Sequence, residues 1–271
     1  MIQERIDALE ALHDELRLPK HLTKDDARKL GGEFEVMRTM GFFPHLHLEA
    51  GYVLDYVYEF GGIGGEPIIY ARKTSERPFE DIKAFLASVR EQAHLDEVDA
   101  AYRDYRAETA SAAGDSSTSA AAFDRLEKRL SEISDHDVAH WYLKHVSTDG
   151  SDESFIELAT MRIVAGQFYL FWHALYNDST PVLTKEKAAK VLSGAPKQDH
   201  MSASFRPPEI TASLLCPRVE RTATAVVVTL HVFSRWGGLC RQTFEFTPDF
   251  PHRISERETE IVVPYYSGIV Y

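Results

Sequence analysis

Apolar residues recur at helical spacing from the start of the chain. Ile2, Ile6, Leu9, Leu12 and Leu16 lie along one side of an amphipathic helix that Pro19 closes. Thr23 as a cap, with Asp25 and Asp26 in a first turn and Gly31-Gly32 as a stop, predicts a second short helix. Beyond Glu33 the period becomes two. Tyr52, Leu54, Tyr56, Tyr58 and Phe60 share one face of a strand, Ile68 to Lys73 supplies its partner, and the glycine-rich stretch 61–65 between them predicts a hairpin.

Helical spacing returns after Pro78. Phe79, Ile82, Phe85, Leu86, Val89 and Ala93 form a stripe that weakens toward Tyr105. Residues 107–121 are Ala, Ser, Thr and Gly almost without an apolar anchor, the composition of a flexible connector. Phe123, Leu126, Leu130 and Ile133 restart the helical pattern, and Ser134 or Asp135 can cap a short helix through Val146. Phe155 to Asn177 then reads as one long, nearly all-apolar central helix, and Thr184 to Leu192 as a shorter one. From Pro207 the pattern switches to segments rich in β-branched and aromatic residues, Ile210–Leu215, Ala223–Ser234, Leu239–Thr247 and Arg253–Val263, spaced as an antiparallel meander.

Segregated runs of helices and strands predict an α+β fold. The expected organisation is a single domain over 1–271. It comprises N-terminal helices (1–32), a β-hairpin region (45–73), a helical region (78–194) containing the connector 107–121, and an antiparallel region (207–271). The hairpin and the meander are expected to form a mainly antiparallel sheet on which the long buried central helix packs.

Composition narrows the function classes. With 44% hydrophobic residues in 271, the chain can bury a sizeable core. A formal charge of −12 argues against nucleic acid, whose phosphates require clustered Lys and Arg, and favours encounter with a basic protein partner. The longest apolar run, Met161 to Tyr176, is interrupted by Arg162, Gln167 and His173 and falls short of the roughly 20 residues of a membrane span. Gln3, Glu4, Arg5, Asp7 and Glu10 interrupt any leader-like apolar run, so a cytoplasmic location is expected, with Cys216 and Cys240 unpaired. The apolar end, Val262 to Tyr271, is expected against the body or against a second copy in a homo-oligomer.

Four groups of residues carry candidate chemistry. On the wheel of the central helix, Arg162, Gly166, Tyr169, His173 and Tyr176 share a polar stripe that would line a groove for a small anionic molecule; Arg162, Tyr169, His173 and Tyr176 are its candidate catalytic residues. In His45-Leu46-His47-Leu48-Glu49 an extended strand puts His45, His47 and Glu49 on one face as candidate ligands of a divalent metal, the alternative being an ordinary strand with a wet face. His136 and His140 lie one helical turn apart, but Asp137 and Lys144 share their face, which predicts solvent rather than metal. Arg235 and Trp236, at the tip between two strong strands, are the residue types of interaction surfaces. The Gly61–Gly65 stretch lacks the helix, Lys and Ser/Thr of a phosphate loop, and no Gly-x-Ser-x-Gly elbow is present.

The leading functional expectation is a soluble intracellular binding or interaction protein. The alternative is a metal-assisted or acid–base hydrolase acting on a small anionic substrate in the groove of the central helix.

Overall fold

The computed structural model describes residues 1–24, 27–61, 64–89, 92–111, 116–133, 138–172, 179–193, 209–235 and 237–264. Helix α1 (Ile2–Glu15) buries Ile6 and Leu9, as its stripe requires. Two 3₁₀ helices follow, Lys20–Leu22 and Val36–Phe42. The helix expected after Thr23 does not form among the described residues. Thr23 instead closes the first 3₁₀ helix, its hydroxyl donating to the Lys20 carbonyl at 2.9 Å, the local bonding by which threonine competes with helix initiation.

Strands β1 (Leu46–Leu48), β2 (Tyr52–Phe60) and β3 (Gly64–Lys73) come next, β2 and β3 forming the expected hairpin with Tyr56 opposite Ile69. Leu54, Tyr56 and Tyr58 enter the main core, while Val57, Ile68 and Tyr70 pack on the other face against Phe85 of helix α2 (Ile82–Val89). Helices α3 (Gln92–Ser111) and α4 (Ser116–Ile133) form an antiparallel pair tied by Arg125–Glu108 (2.8 Å) and Arg129–Asp104 (2.6 Å). The stretch read as a connector is therefore helical on both sides of 112–115, which lie outside the described residues; alanine, the strongest helix former, outweighs its lack of apolar anchors.

A 3₁₀ helix, Val138–His145, leads into β4 (Val146–Thr148), which pairs with β1. Helix α5 (Asp152–Val164) follows. Ser151 caps it by accepting the Ser154 N–H at 3.1 Å, and Asp152 and Glu153 complement its N-terminal dipole. Phe155, Leu158, Ala159, Met161 and Val164 are all buried, so α5 is the central helix expected, but it is shorter. The chain turns after Val164, Tyr169 adopts a left-handed backbone (φ +56°), and Phe171–Trp172 is strand β5. His173, Tyr176 and Asn177 lie outside the described residues.

Strand β6 (Ser179–Pro181), helix α6 (Lys185–Ser193) and the short helix α7 (Ala212–Leu215) precede strands β7 (Arg218–Arg221), β8 (Val226–Ser234), β9 (Gly238–Phe246) and β10 (Ile254–Val263). The strand expected at Ile210–Leu215 is overturned. Thr211 accepts the Leu214 N–H at 3.1 Å and caps a turn of helix, which suits Ala212, Leu214 and Leu215.

The architecture is α+β, with an early hairpin and a C-terminal antiparallel meander. The two do not share a sheet: β10-β9-β8-β6, with β7 also on β8, is one sheet, β2-β3-β5 a second and β1-β4 a third. β5 pairs with β3 at Gly64 and Gly65, and β6 and β7 cover the edge of β8, so the edges of β3 and β8 in these stretches are taken by local strands rather than by the other sheet. One continuous core joins α1, α5, the hairpin and the inward residues Val226, Val228, Leu230, Phe244 and Phe246 of the meander. No helix among the described residues is long and apolar enough to cross a membrane.

Candidate functional site

The end of α5 is held by side chains from the 3₁₀ helix Val138–His145. The last turn of a helix leaves carbonyls without intrahelical partners. Here Tyr142 Oη donates to the Met161 carbonyl at 3.2 Å and His140 Nε2 donates to the Arg162 carbonyl at 3.1 Å. Gln167, just past the helix, donates to the carbonyls of Ile163 and Ser179, both at 2.7 Å, pinning the departing chain to β6. On the opposite side Tyr169 points into the core. Its hydroxyl accepts the Phe34 N–H at 3.0 Å and its carbonyl accepts Tyr58 Oη at 2.7 Å, which fixes the left-handed turn.

This arrangement opens a cleft of about 270 Å³. Its polar lining is Arg162 from α5, His140, Gln167, Glu66 from β3, Ser179 from β6 and Gln242 from β9, set against an apolar wall that includes Ile69, Ile163 and Phe244. Gly166 also lines it, the nearest atom to an added Cβ being the Pro67 carbonyl oxygen at 3.7 Å. Of the expected stripe, Arg162 and Gly166 face the cleft, Tyr169 serves the core, and His173 and Tyr176 lie outside the described residues. His140, expected in solvent, lines the cleft because its segment is a 3₁₀ helix, in which successive side chains rotate by about 120° rather than 100°. Glu66 and Gln242 carried no sequence signal for this site, since each is one polar residue on an ordinary strand.

A second concentration of charge lies at the other end of α5. His45 stands just before β1; its backbone N–H donates to Glu157 Oε2 at 2.9 Å, its ring Nδ1 to Asp149 Oδ2 at 2.8 Å, and its Nε2 lies 3.8 Å from Glu153 Oε2. Glu157 is fully buried and pairs through its other oxygen with Arg5 of α1, whose guanidinium also lies 3.6 Å from Glu153. Burial pushes the Glu157 carboxyl above its ordinary pKa. The Ser151 hydroxyl and N–H, together with His45, hold Asp149 well below the usual carboxylate range, and the bond to Asp149 raises His45.

His45, His47 and Glu49 do alternate with Leu46 and Leu48 as a strand should, but they do not converge on one point. His47 is exposed, and Glu49 instead accepts His145 Nδ1 at 2.7 Å, where Tyr52 stacks on the His145 ring. The ligand set read from this strand is thus replaced by separate partners, because residues two apart on a strand are about 6.6 Å apart along it. Arg235 is exposed at the turn after β8, and Trp236 lies outside the described residues. Cys216 and Cys240 are free thiols, the first exposed and the second buried.

Comparison of the chain with known protein families, with curated proteins and with solved structures gives no match.

Proposed function

We propose that the chain is a binding protein for a compact anionic organic molecule, held in the cleft at the end of α5. The observation that carries this reading is the convergence there of Arg162, His140, Gln167 and Gln242, from separate segments, around an apolar wall. A few directed polar groups on an apolar surface are the usual composition of a small-molecule site. The volume is just below the range of roughly 300–1,000 Å³ usual for organic ligands, which selects a small carboxylate or phosphate ester. Arg162 supplies a planar cation of the kind such groups take bidentately and the Gln242 amide a neutral donor, while Gln167, its two N–H groups given to the carbonyls of Ile163 and Ser179, fixes the wall.

The net charge of −12 favours a basic protein as a second kind of partner, by accelerating encounter rather than by marking a surface. A cytoplasmic setting accords with the two unpaired thiols.

A panel of small carboxylates and phosphate esters, scored by thermal shift and then by calorimetry, tests the cleft. A member should bind the wild-type chain and lose affinity on the order of tenfold or more with Arg162→Met, since a charge-assisted hydrogen bond is worth about 1.5–3 kcal/mol. Gly166→Leu should block the same ligand by filling space. If no member binds, or if both variants bind it as tightly as the wild type, the cleft is not the site.

A further inference from the structure

We propose that His45, Glu153 and Glu157 form a binding site for a divalent transition-metal ion, distinct from the cleft and using none of its residues. One ligand atom from each lies within 4.8 Å of the others. An ion about 2.0–2.2 Å from each donor needs donors no more than about 4.4 Å apart, so the three must draw together slightly, and Glu153, whose side chain is 53% exposed, has room to move. Glu153 and Glu157 are four residues apart and so stand on one face of α5, and His45 is brought over that face by its own backbone bond to Glu157.

The donor types select the ion. One imidazole with two carboxylates suits zinc, manganese or ferrous iron, whereas magnesium prefers oxygen donors and keeps its waters. The imidazole is also oriented for the task. Asp149 accepts the Nδ1–H of His45 and is itself held by the Ser151 N–H at 2.9 Å and by the Ser151 hydroxyl. That bond fixes the tautomer in which Nε2 carries the lone pair, and Nε2 is the atom nearest Glu153. Metal-ligating histidines are oriented by an outer carboxylate in the same way.

Charge and access agree with the donor set. Three carboxylates, Asp149, Glu153 and Glu157, stand around the His45 ring and backbone, with Arg5 paired to Glu157 and 3.6 Å from Glu153, and a divalent ion adds positive charge to this acidic set. Glu157 forms the buried floor, while His45 and Glu153 form a rim open to water. The ion would take its remaining positions from solvent and leave them exchangeable. Arg5 competes for the same Glu157 carboxylate, so the ion and the guanidinium oppose one another.

Calorimetric titration of the chelator-treated, tag-free chain with zinc chloride and with manganese chloride tests the site, with magnesium chloride as the oxygen-preferring control. One transition-metal ion per chain should bind, with magnesium far weaker. Affinity should fall on the order of tenfold or more in His45→Gln and in Glu153→Gln, and about 10- to 100-fold in Asp149→Asn, which touches no ion directly. Glu153 is exposed, so its variant should fold even if His45→Gln does not. In Arg5→Gln zinc should raise Tm by more than in the wild type, because the ion then replaces the missing counter-charge of Glu157. An ion pair with no metal role would show no such rescue. Absence of saturable zinc or manganese binding, or binding equally tight in His45→Gln and Glu153→Gln, would overturn the assignment.

Discussion

His45 donates its backbone N–H to the buried carboxylate of Glu157 at 2.9 Å, joining the start of β1 to the middle of α5 across 112 residues of sequence. The other carboxylate oxygen is paired with Arg5, so α1 is drawn into the same tie.

Removing one side of this tie should cost far more than removing both. Arg5→Met leaves a buried carboxylate without its counter-charge and should destabilise the chain by about 3–5 kcal/mol, whereas Arg5→Met with Glu157→Met should recover much of the loss. Urea denaturation of the single and double variants, in chelator, measures the difference. Additive losses would mean that the pair is not coupled.

His13 gives the fold an acid-sensitive element. Its ring lies between Phe34 and Phe168, at 5.8 and 5.7 Å, and its Nε2 is buried without a hydrogen-bond partner among the described residues. Burial pushes its pKa down from 6.5 to about 4. The unfolded chain therefore takes up this proton more readily than the folded one. The neutral ring's contribution is fully present above pH 6.5 and is lost as pH falls from 6.5 toward 4, roughly 3 kcal/mol over the window. Guanidinium melts at pH 7.5 and 4.5 should show this slope in the wild type, and His13→Leu should remove its share, leaving that of His231, whose buried ring is also held below 6.5.

Two glycines on neighbouring elements should respond oppositely to alanine. At Gly65 an added Cβ would stand 2.8 Å from Tyr58 Oη and 2.9 Å from its ring, so Gly65→Ala should cost about 1–3 kcal/mol through overpacking. At Gly166 the nearest contact is 3.7 Å and φ is not positive, so Gly166→Ala should change stability by no more than about 0.5–1 kcal/mol, in the stabilising direction. Paired Tm measurements separate the two.

Tyr169 holds its left-handed backbone through partners at both ends of the residue. Tyr58→Phe deprives the Tyr169 carbonyl of its donor, and Tyr169→Phe deprives the Phe34 N–H of its acceptor; each should cost about 1–3 kcal/mol. Because both bonds fix the same turn, the double variant should lose less than the sum. Hydrogen exchange of the amides from 167 to 171 should quicken in either variant, and unchanged protection would refute the link.

Periodicity alone was sufficient for α1, the β2–β3 hairpin, α6 and β8 to β10, because the spacing of apolar residues reports the type of each element even where, as in β2 and β3, both faces are buried. It misjudged α5 for a definite reason. Apolar residues continue past Val164, and only Gly166 signals the stop, a residue equally readable as room for a neighbour. The wheel of a helix running to Asn177 therefore placed Tyr169 beside Arg162, whereas the turn sends Tyr169 into the core and leaves Arg162 and Gly166 on the cleft. His140 was misplaced by the same assumption of α-helical rotation across a 3₁₀ segment.

The alternation of His45, His47 and Glu49 with two leucines, and the four-residue spacing that puts Arg162 and Gly166 on one side at the end of α5, were legible residue by residue. Which of those groups meet was not. His45 lies with Glu153 and Glu157 rather than with His47 and Glu49, and Arg162 lines a cleft with Gln242 and Glu66 rather than with Tyr169, because β1 is paired with β4 and the meander is folded over α5. Those pairings depend on which strand edges are already occupied and on burying several faces at once. Local spacing carries no information about either, so the elements could be read from the chain while the two sites emerged only from its tertiary packing.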